Sequence, residues 1–320
     1  MPSTTTKTAS PLWVMIAFAT VYLVWGSTYF FIRIAMQGGF PPFLLGAVRF
    51  TAAGLLMMGW CVIKKEKILV SAKDIITASV TGILLLFVSI GIVIWTERTL
   101  PSAMVAILVS SAPIWFVVLD KPHWPENFRS KATIIGLTIG FGGVILLFNE
   151  QIGNIFKSAD AQSKLPWMLL LVLGTISWSG GSIYSKARKS TASTSVNTAW
   201  QMIAAGLVYI LASQMHGEFK NLKLQDIHAS GWLGIVYLII FGSIAAFSAY
   251  IWLLKVRPAT QVSTYAYVNP VIAVILGIFF AGEHISFTQI SGLAVILLSV
   301  LLINLSKYRK DKKTLELVNG

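Results

Sequence analysis

Ten long apolar stretches, separated by short polar segments, run along the 320-residue chain. Each is close in length to the roughly 20 residues that an α-helix needs to cross a bilayer. The connecting segments are too short to form a domain with a core of its own. The pattern predicts an all-α membrane protein with ten transmembrane helices, at residues 12–36, 40–63, 75–95, 102–119, 132–149, 166–185, 195–213, 231–254, 260–281 and 288–305.

The composition excludes a soluble globular protein. Hydrophobic residues make up 56% of the chain, charged residues make up 12%, and the mean hydropathy is +0.75. Soluble proteins are roughly half apolar and a quarter charged. The single cysteine, Cys61, has no partner for a disulfide within the chain. We therefore expect the lipid bilayer to surround most of the protein.

The lysines and arginines that give the net charge of +13 are distributed unevenly between the two sides of the predicted membrane topology. With the N-terminus in the cytoplasm, 18 of the 25 lysines and arginines fall in cytoplasmic segments and five in external ones, which leaves Arg33 and Arg49 within helices. An excess of Lys and Arg in short loops marks the cytoplasmic side. We therefore expect both termini to be cytoplasmic, and we expect no nucleic-acid partner. A cleaved signal peptide is the alternative for the first stretch, which is longer than the usual core of such a peptide.

The two halves of the chain carry similar landmarks in the same order. WGSTYFFIR at 25–33 aligns with WSGGSIYSK at 178–186. Because each half holds five helices, an odd number, the second half must be inverted in the membrane relative to the first. Inverted repeats are typical of secondary transporters, whose solute site lies near the midplane between the repeats. An offset of 157 residues pairs a tryptophan, a proline and a glutamate of each half: Trp95 with Trp252, Pro113 with Pro270, and Glu126 with Glu283.

These features predict how the chain is divided. The first repeat is expected at 12–149 and the second at 166–305, with an external linker at 150–165. Cytoplasmic tails are expected at 1–11 and 306–320, the second of them basic.

Ten spans in two repeats, the WGS motif and the proline–glutamate pattern resemble the EamA type of the drug/metabolite transporter superfamily. The resemblance covers residues 12–305, including the glycine-rich helix after each glutamate. It implies an inner-membrane carrier, often an exporter of amino acids, related metabolites or toxic small molecules. It also implies a central cavity lined by helices one, three, four, six, eight and nine. The polar, proline-rich stretch at 120–125 departs from the family pattern and predicts a shortened fourth helix.

Aromatic, hydroxyl and amide side chains of the expected cavity helices are the candidates for solute binding. Arg49 lies well inside the second helix. Its favoured role there is to bond helix-end carbonyls or a boundary acid, and the alternative is to bind a carboxylate of the solute. For the other residues, helix packing is the alternative to a place in the cavity. The candidates are Trp25, Ser27, Tyr29, Arg49, Ser110, Trp178, Ser182, Tyr250, Tyr265 and Asn269.

A second group is assigned to gating or to structure, because its members lie at helix ends or at helix breaks. Trp and Tyr collect at membrane interfaces, and a proline removes a backbone donor and disturbs the preceding turn. The group consists of Arg33, Trp95, Pro113, Glu126, Trp252, Pro270 and Glu283.

All twelve acids and all four histidines lie at helix ends or in loops. Proton coupling would therefore depend on Glu97, Asp120, Glu126 or Glu283. The absence of a deep acid favours facilitated diffusion or exchange over proton-coupled transport. The sequence carries no metalloprotease, phosphate-loop or metal-cluster motif, so we predict no enzymatic activity, cofactor or metal.

The function that these observations predict is secondary transport by alternating access. The expected cargo is a small organic solute, namely an amino acid, a related metabolite or a drug-like compound, and the expected direction is export. An importer or exchanger on the same fold is the first alternative, and a membrane enzyme or scaffold is the second. The protein is expected to be a monomer or a homodimer.

Overall fold

The computed structural model describes residues 10–100, 102–149, 152–153, 161–188, 190–221, 224–281 and 286–319. Every regular element within these ranges is helical. In the first half the helices are α1 (Pro11–Gln37), α2 (Pro42–Ile63), α3 (Ala72–Thr96), α4 (Ser102–Val109), α5 (Ala112–Leu119), α6 (Trp124–Arg129) and α7 (Lys131–Leu147). In the second half they are α8 (Ala161–Ala187), α9 (Thr194–Met215), α10 (Glu218–Asn221), α11 (Ala229–Val256), α12 (Ala259–Val262), α13 (Tyr265–Ala281) and α14 (Phe287–Asn319).

Among the described residues, seven helical segments are long and apolar enough to cross a membrane: α1, α2, α3, α8, α9, α11 and the segment Ala259–Leu276. The helices Val105–Leu119 and Lys121–Arg129 pass the same test together and meet at 73°, which makes eight if they form one span. Large apolar side chains such as Leu12, Leu55 and Leu211 are more than half exposed on the outside of the bundle. Lipid covers such a surface, so the prediction of an all-helical membrane protein is confirmed.

One end of the bundle brings together the loops after α1, α3 and α9. The backbone N–H of His228 donates to the Gly38 carbonyl at 2.9 Å. The carboxylate of Glu218 accepts from the backbone N–H of Leu44 at 2.7 Å, which caps the N-terminus of α2. The rings of Phe43 and Trp95 lie 5.0 Å apart. We call this end the Glu97 end.

The opposite end holds the loop between α2 and α3. The Thr191 hydroxyl donates to Asp74 at 2.7 Å, and the Trp200 indole N–H donates to the Ile68 carbonyl at 3.2 Å. The Lys186 ammonium donates to the Leu254 carbonyl at 2.9 Å. These contacts bring the ends of α8 and α11 to the same side as Lys64, and we call this the Lys64 end.

Glycines allow two helix pairs to approach closely. A Cβ added to Gly54 of α2 would lie 2.9 Å from the backbone nitrogen of Ile203 on α9. Between α7 and α14, a Cβ on Gly292 would lie 2.6 Å from the backbone nitrogen of Leu147. Gly136 and Gly140 of α7 likewise lie against α14, so the close contact that their spacing predicts occurs within the chain.

The structure differs from the expected helix pattern at both prolines of the repeat. The fourth expected helix is divided into α4 and α5 by a turn at Ser110 and Ser111, and Pro113 lies in the first turn of α5. Pro270, by contrast, lies inside α13, which continues through it, and the break falls earlier, at Ser263 and Thr264. A proline at the start of a helix costs little because that N–H has no intrahelical partner. This explains the position of Pro113 at the start of α5. At Pro270, by contrast, the expected break in the preceding turn is absent.

Helix ends also differ from expectation at the linker and at the C-terminus. Helix α8 begins at Ala161, inside the expected linker, and α14 continues to Asn319, through the expected tail. No proline or glycine occurs between Gly292 and Gly320, and lysine, arginine, leucine and glutamate favour helix. The fourth expected helix does end early, at Leu119, where the polar stretch beginning with Asp120 follows.

Candidate solute cavity

A cavity of about 60 Å³ lies in the middle of the bundle, between helices of both halves. Helices α1, α2, α3, α4 and α5 line it from the first half, and α8, α11 and α13 line it from the second. Its wall is mostly apolar. The lining residues are Trp25, Thr28, Tyr29, Ile32, Arg49, Phe50, Leu86, Ser89, Ile90, Val93, Val109, Ala112, Leu171, Gly174, Thr175, Trp178, Gly242, Phe247, Tyr265 and Asn269.

Four aromatic side chains form a cluster at one wall of this cavity. The centre of the Trp25 ring lies 5.3 Å from that of Trp178 and 4.9 Å from those of Tyr250 and Tyr265. The Trp178 indole N–H donates to the Tyr250 hydroxyl at 3.0 Å, and the Trp25 indole N–H donates to the Gly242 carbonyl at 3.2 Å. Edge-to-face rings with bonded polar atoms form a rigid, amphipathic surface.

Two polar side chains in the lining keep unused hydrogen-bonding atoms. Arg49 is 4% exposed and Asn269 is also 4% exposed. Nη1 of Arg49 and Oδ1 of Asn269 are buried and have no hydrogen-bond partner among the described residues. Buried polar atoms nearly always have partners, so such atoms next to a cavity indicate a place for a polar group of a ligand.

Six of the ten candidate binding residues line the cavity, namely Trp25, Tyr29, Arg49, Trp178, Tyr265 and Asn269. The other four lie outside the lining and bond other parts of the protein. Ser27 bonds the Tyr237 hydroxyl at 2.6 Å, and Ser182 bonds the Tyr250 hydroxyl at 2.6 Å. Tyr250 thus lies behind Trp178, where it bonds both Trp178 and Ser182.

Ser110 compensates for the proline of the opposite half. Pro270 has no N–H, so the Ala266 carbonyl, four residues earlier, lacks its usual intrahelical donor. The Ser110 hydroxyl lies 2.8 Å from this carbonyl and 2.7 Å from the Ala106 carbonyl of its own helix. This contact also explains why α13 continues through Pro270.

We expect Ser110→Ala to reduce the free energy of unfolding by about 1 kcal/mol, because it leaves the buried Ala266 carbonyl without a side-chain donor. The measurement is the thermal unfolding midpoint of the purified protein in detergent. Ser291→Ala is the matched control, since Ser291 is partly exposed and its hydroxyl donates to the Phe287 carbonyl of its own helix. An equal change in both variants would show that the contact with Ala266 contributes nothing.

The residues assigned to gating or structure are spread over both ends. Trp95 lies at the Glu97 end, where the Arg98 guanidinium lies 4.8 Å from its ring centre, and Arg33 is exposed. Trp252 is half-buried against the main core. Glu126 lines a polar cleft at the Lys64 end, and Glu283 lies outside the described residues.

Different kinds of contact lie next to the cavity toward the two ends of the bundle. Toward the Lys64 end, Trp178, Ser182 and Lys186 lie one turn apart on α8 and bond Tyr250 and Leu254 of α11. Toward the Glu97 end, an apolar cluster of Val93, Leu100, Val105 and Leu171 packs with Tyr29. The first set of contacts is polar and the second is apolar.

Sequence reasoning missed the contribution of π-helical backbone to the lining. Helix α3 is π-helical over Ile83–Ser89 and α11 over Leu238–Phe247. These segments place Leu86, Ser89, Gly242 and Phe247 at the cavity. π-helical turns are frequent at functional sites, but no simple residue pattern marks them.

An all-helical bundle with an apolar outer surface and a cavity between its two halves fits a membrane transport protein. The chain belongs to the EamA-like transporter family, whose model matches residues 12–149 and 165–305. The resemblance found in the motifs is therefore confirmed. The family is one of transporters, so a small-molecule solute and a lipid bilayer are the partners of this protein.

Relatives and a known structure agree with this assignment. The chain is 37% identical to the uncharacterized inner membrane transporter YedA of Escherichia coli strain K12, over 91% of this chain and 90% of that protein. It is 25% identical to the protein PecM of Dickeya dadantii, over 92% of this chain and 94% of that protein. A protein of known crystal structure shares the fold with a TM-score of 0.71 at 20% identity, over 94% of this chain and 99% of that one.

Proposed function

We propose that the protein exports a small organic solute, namely an amino acid, a related metabolite or a drug-like compound, across the inner membrane by alternating access. The observation that carries the proposal is the aromatic cavity between the two halves, with its unused polar atoms and a different set of packing contacts toward each end. Ligand sites usually enclose about 300–1,000 Å³. The cavity of about 60 Å³ therefore corresponds to a contracted conformation that must widen to admit the solute.

The architecture proposed for this mechanism is ten crossings in two inverted five-helix repeats, at 12–149 and 166–305. Seven long spans, one bent pair and the two shorter apolar helices Lys131–Leu147 and Phe287–Ile303 are compatible with ten. The π-helical segments of α3 and α11 support the repeat, because they lie at positions related by roughly the 157-residue offset. Exchanging the conformations of two inverted repeats converts one open state into the other.

We place the Lys64 end in the cytoplasm. Lys64, Lys121, Lys186 and Arg257 lie there, as expected for the side enriched in lysine and arginine. This end also has a polar cleft of about 280 Å³ lined by Asp120, Glu126, Lys186 and Arg257 among others. A polar entrance on the cytoplasmic side supports uptake of the solute from the cytoplasm and its release at the Glu97 end.

The test is transport by purified protein in proteoliposomes against a panel of labelled amino acids and metabolites. We expect efflux or exchange of at least one solute, and loss of about tenfold or more in Trp178→Ala and Asn269→Ala, because these changes remove an aromatic wall and a hydrogen-bond acceptor. Trp13→Ala is the control, since Trp13 is 63% exposed on the lipid-facing side of α1.

The outcomes separate the alternatives. No movement of any solute by folded protein would contradict the carrier function. Solute movement that occurs only toward the cytoplasmic side would favour an importer on the same fold. Movement that requires a second solute on the outside would favour an exchanger. Unchanged transport in Trp178→Ala and Asn269→Ala would show that the solute binds elsewhere.

A further inference from the structure

Arg49 is a buried cation with an incomplete set of partners. Its Nε–H donates to the Ser243 hydroxyl at 2.9 Å, and its guanidinium carbon lies 4.8 Å from the centre of the Phe50 ring. Nη1 is buried and makes no hydrogen bond among the described residues. Leaving a charged donor buried without an acceptor is costly. Nη1 is therefore the open position of this side chain.

The cavity wall supplies no counter-charge for Arg49. Its described lining residues include no aspartate or glutamate, and the remaining side chains are apolar, aromatic, hydroxyl or amide. Asp120 and His123, which form an ion pair in the loop that follows α5, do not belong to this lining. In surroundings of low dielectric constant, an uncompensated cation attracts an anion strongly.

We propose that the transported solute carries a carboxylate and that Arg49 binds this carboxylate in the cavity. The proposal rests on the transport function proposed above and specifies its substrate class. A guanidinium is a planar set of donors that matches the two oxygens of a carboxylate. With Nε held by Ser243, the donor group of Arg49 is oriented before the solute arrives, which reduces the entropy cost of binding.

The rest of the cavity fits the remaining parts of such a solute. Oδ1 of Asn269 is an unused acceptor for an amino or hydroxyl group. The rings of Trp25, Trp178 and Tyr265, which pack edge to face, offer an aromatic wall for an apolar or aromatic body. The solute class is therefore an amino acid or hydroxy acid with an apolar side chain, rather than a neutral amide or an amine.

The experiment compares acids with amides that differ only in the carboxylate. Proteoliposomes containing the purified full-length protein are assayed with L-phenylalanine, L-leucine and the other carboxylates of the panel, each beside its amide, after subtraction of flux through protein-free liposomes. We expect the acids to move at least about tenfold faster than the amides, as for a charge-assisted hydrogen bond. In Arg49→Gln we expect acid transport to fall until acids and amides move at similar rates.

Ser243→Ala is the matched control. It removes the hydroxyl bonded to Nε but keeps the charge, so we expect the preference for acids to remain. If Arg49 only joined α2 to α11, Ser243→Ala and Arg49→Gln would lower acid and amide transport alike, which would overturn the proposal. A second readout is the shift in unfolding midpoint on adding the acid, expected in the wild type and absent in Arg49→Gln.

The outcomes distinguish this proposal from the transport function itself. Equal transport of acids and amides by the wild type would overturn the carboxylate proposal and leave the transporter intact. A preference for acids that persists in folded Arg49→Gln would do the same. Failure to move any solute would instead count against the transport function. If Arg49→Gln does not fold, Arg49→Met, which is also uncharged, takes its place. Equal wild-type rates, or an acid preference that persists in Arg49→Met, overturn the proposal, and loss of the preference in Arg49→Met upholds it.

Discussion

A Gly82→Ala variant is expected to lose the folded bundle, because a Cβ at this position meets the backbone of another helix. That Cβ would lie 2.1 Å from the carbonyl oxygen of Gln201 and 2.7 Å from its carbonyl carbon. A backbone atom cannot rotate away as a side chain can, so α3 and α9 would have to separate. We expect destabilisation of about 3 kcal/mol or more, measured as a lower unfolding midpoint and a loss of monodisperse protein in detergent.

Gly142→Ala is the matched control for this prediction. Gly142 also lies in an apolar helix, but nothing is within 4 Å of an added Cβ. Alanine should stabilise that helix by up to about 1 kcal/mol. The two variants are therefore expected to change the unfolding midpoint in opposite directions, and similar midpoints would contradict the packing of α3 against α9.

A Glu97→Gln variant is expected to remove most of the pH dependence of stability. Glu97 follows the last residue of the span Ala72–Thr96, and both of its carboxylate oxygens are buried without a hydrogen-bond partner among the described residues. Burial raises the pKa of Glu97 from 4.5 to about 8, and the charge of Arg33 opposes this only in part. In the folded protein the carboxyl therefore keeps its proton to a higher pH than in the unfolded chain.

The sign of the effect follows from proton linkage. Between about pH 4.5 and 8 the folded state holds a proton that the unfolded state has released. Below pH 4.5 the contribution of the protonated Glu97 carboxyl to stability is fully present. As the pH rises above this value, the free energy of unfolding falls by up to about 1.4 kcal/mol per pH unit. The measurement is the unfolding midpoint of the wild type and of Glu97→Gln across this range.

Glu126→Gln serves as the control, because Glu126 is exposed at the Lys64 end. It is expected to leave the slope of stability against pH unchanged, whereas Glu97→Gln flattens it. A wild type whose stability rises with pH over this range would contradict the buried, protonated state of Glu97.

Much of the membrane architecture could be predicted from local sequence. Hydrophobic stretches of spanning length mark helices wherever they lie, because lipid requires every backbone group to bond within its own helix. The aromatic residues Trp25 and Trp178 and the deep cation Arg49 could be placed toward the interior because lipid disfavours their polar atoms. The structure brings all three to one cavity. Their role in binding a solute stays a prediction.

The hydrogen-bond partners of side chains on other helices could not be predicted from local sequence. Ser27, Ser110, Ser182 and Tyr250 share the residue types of a binding site, yet each bonds a neighbouring helix outside the lining. Their partners are 68 to 210 residues away in the chain. A hydroxyl group satisfies a backbone carbonyl as well as it satisfies a solute, so its residue type does not distinguish the two.

The sequence by itself determined the class of protein and the positions of most helices, because the hydrophobic pattern acts locally along each helix. Only the tertiary structure decided that α13 continues through Pro270, that the Glu97 carboxyl is buried, and that Nη1 of Arg49 has no partner. Each of these features depends on whether a helix distant in the sequence supplies a hydrogen-bond partner to a polar atom. In a low-dielectric interior, a polar group that has a hydrogen-bond partner within the protein is structural, whereas one without a partner is available to a solute.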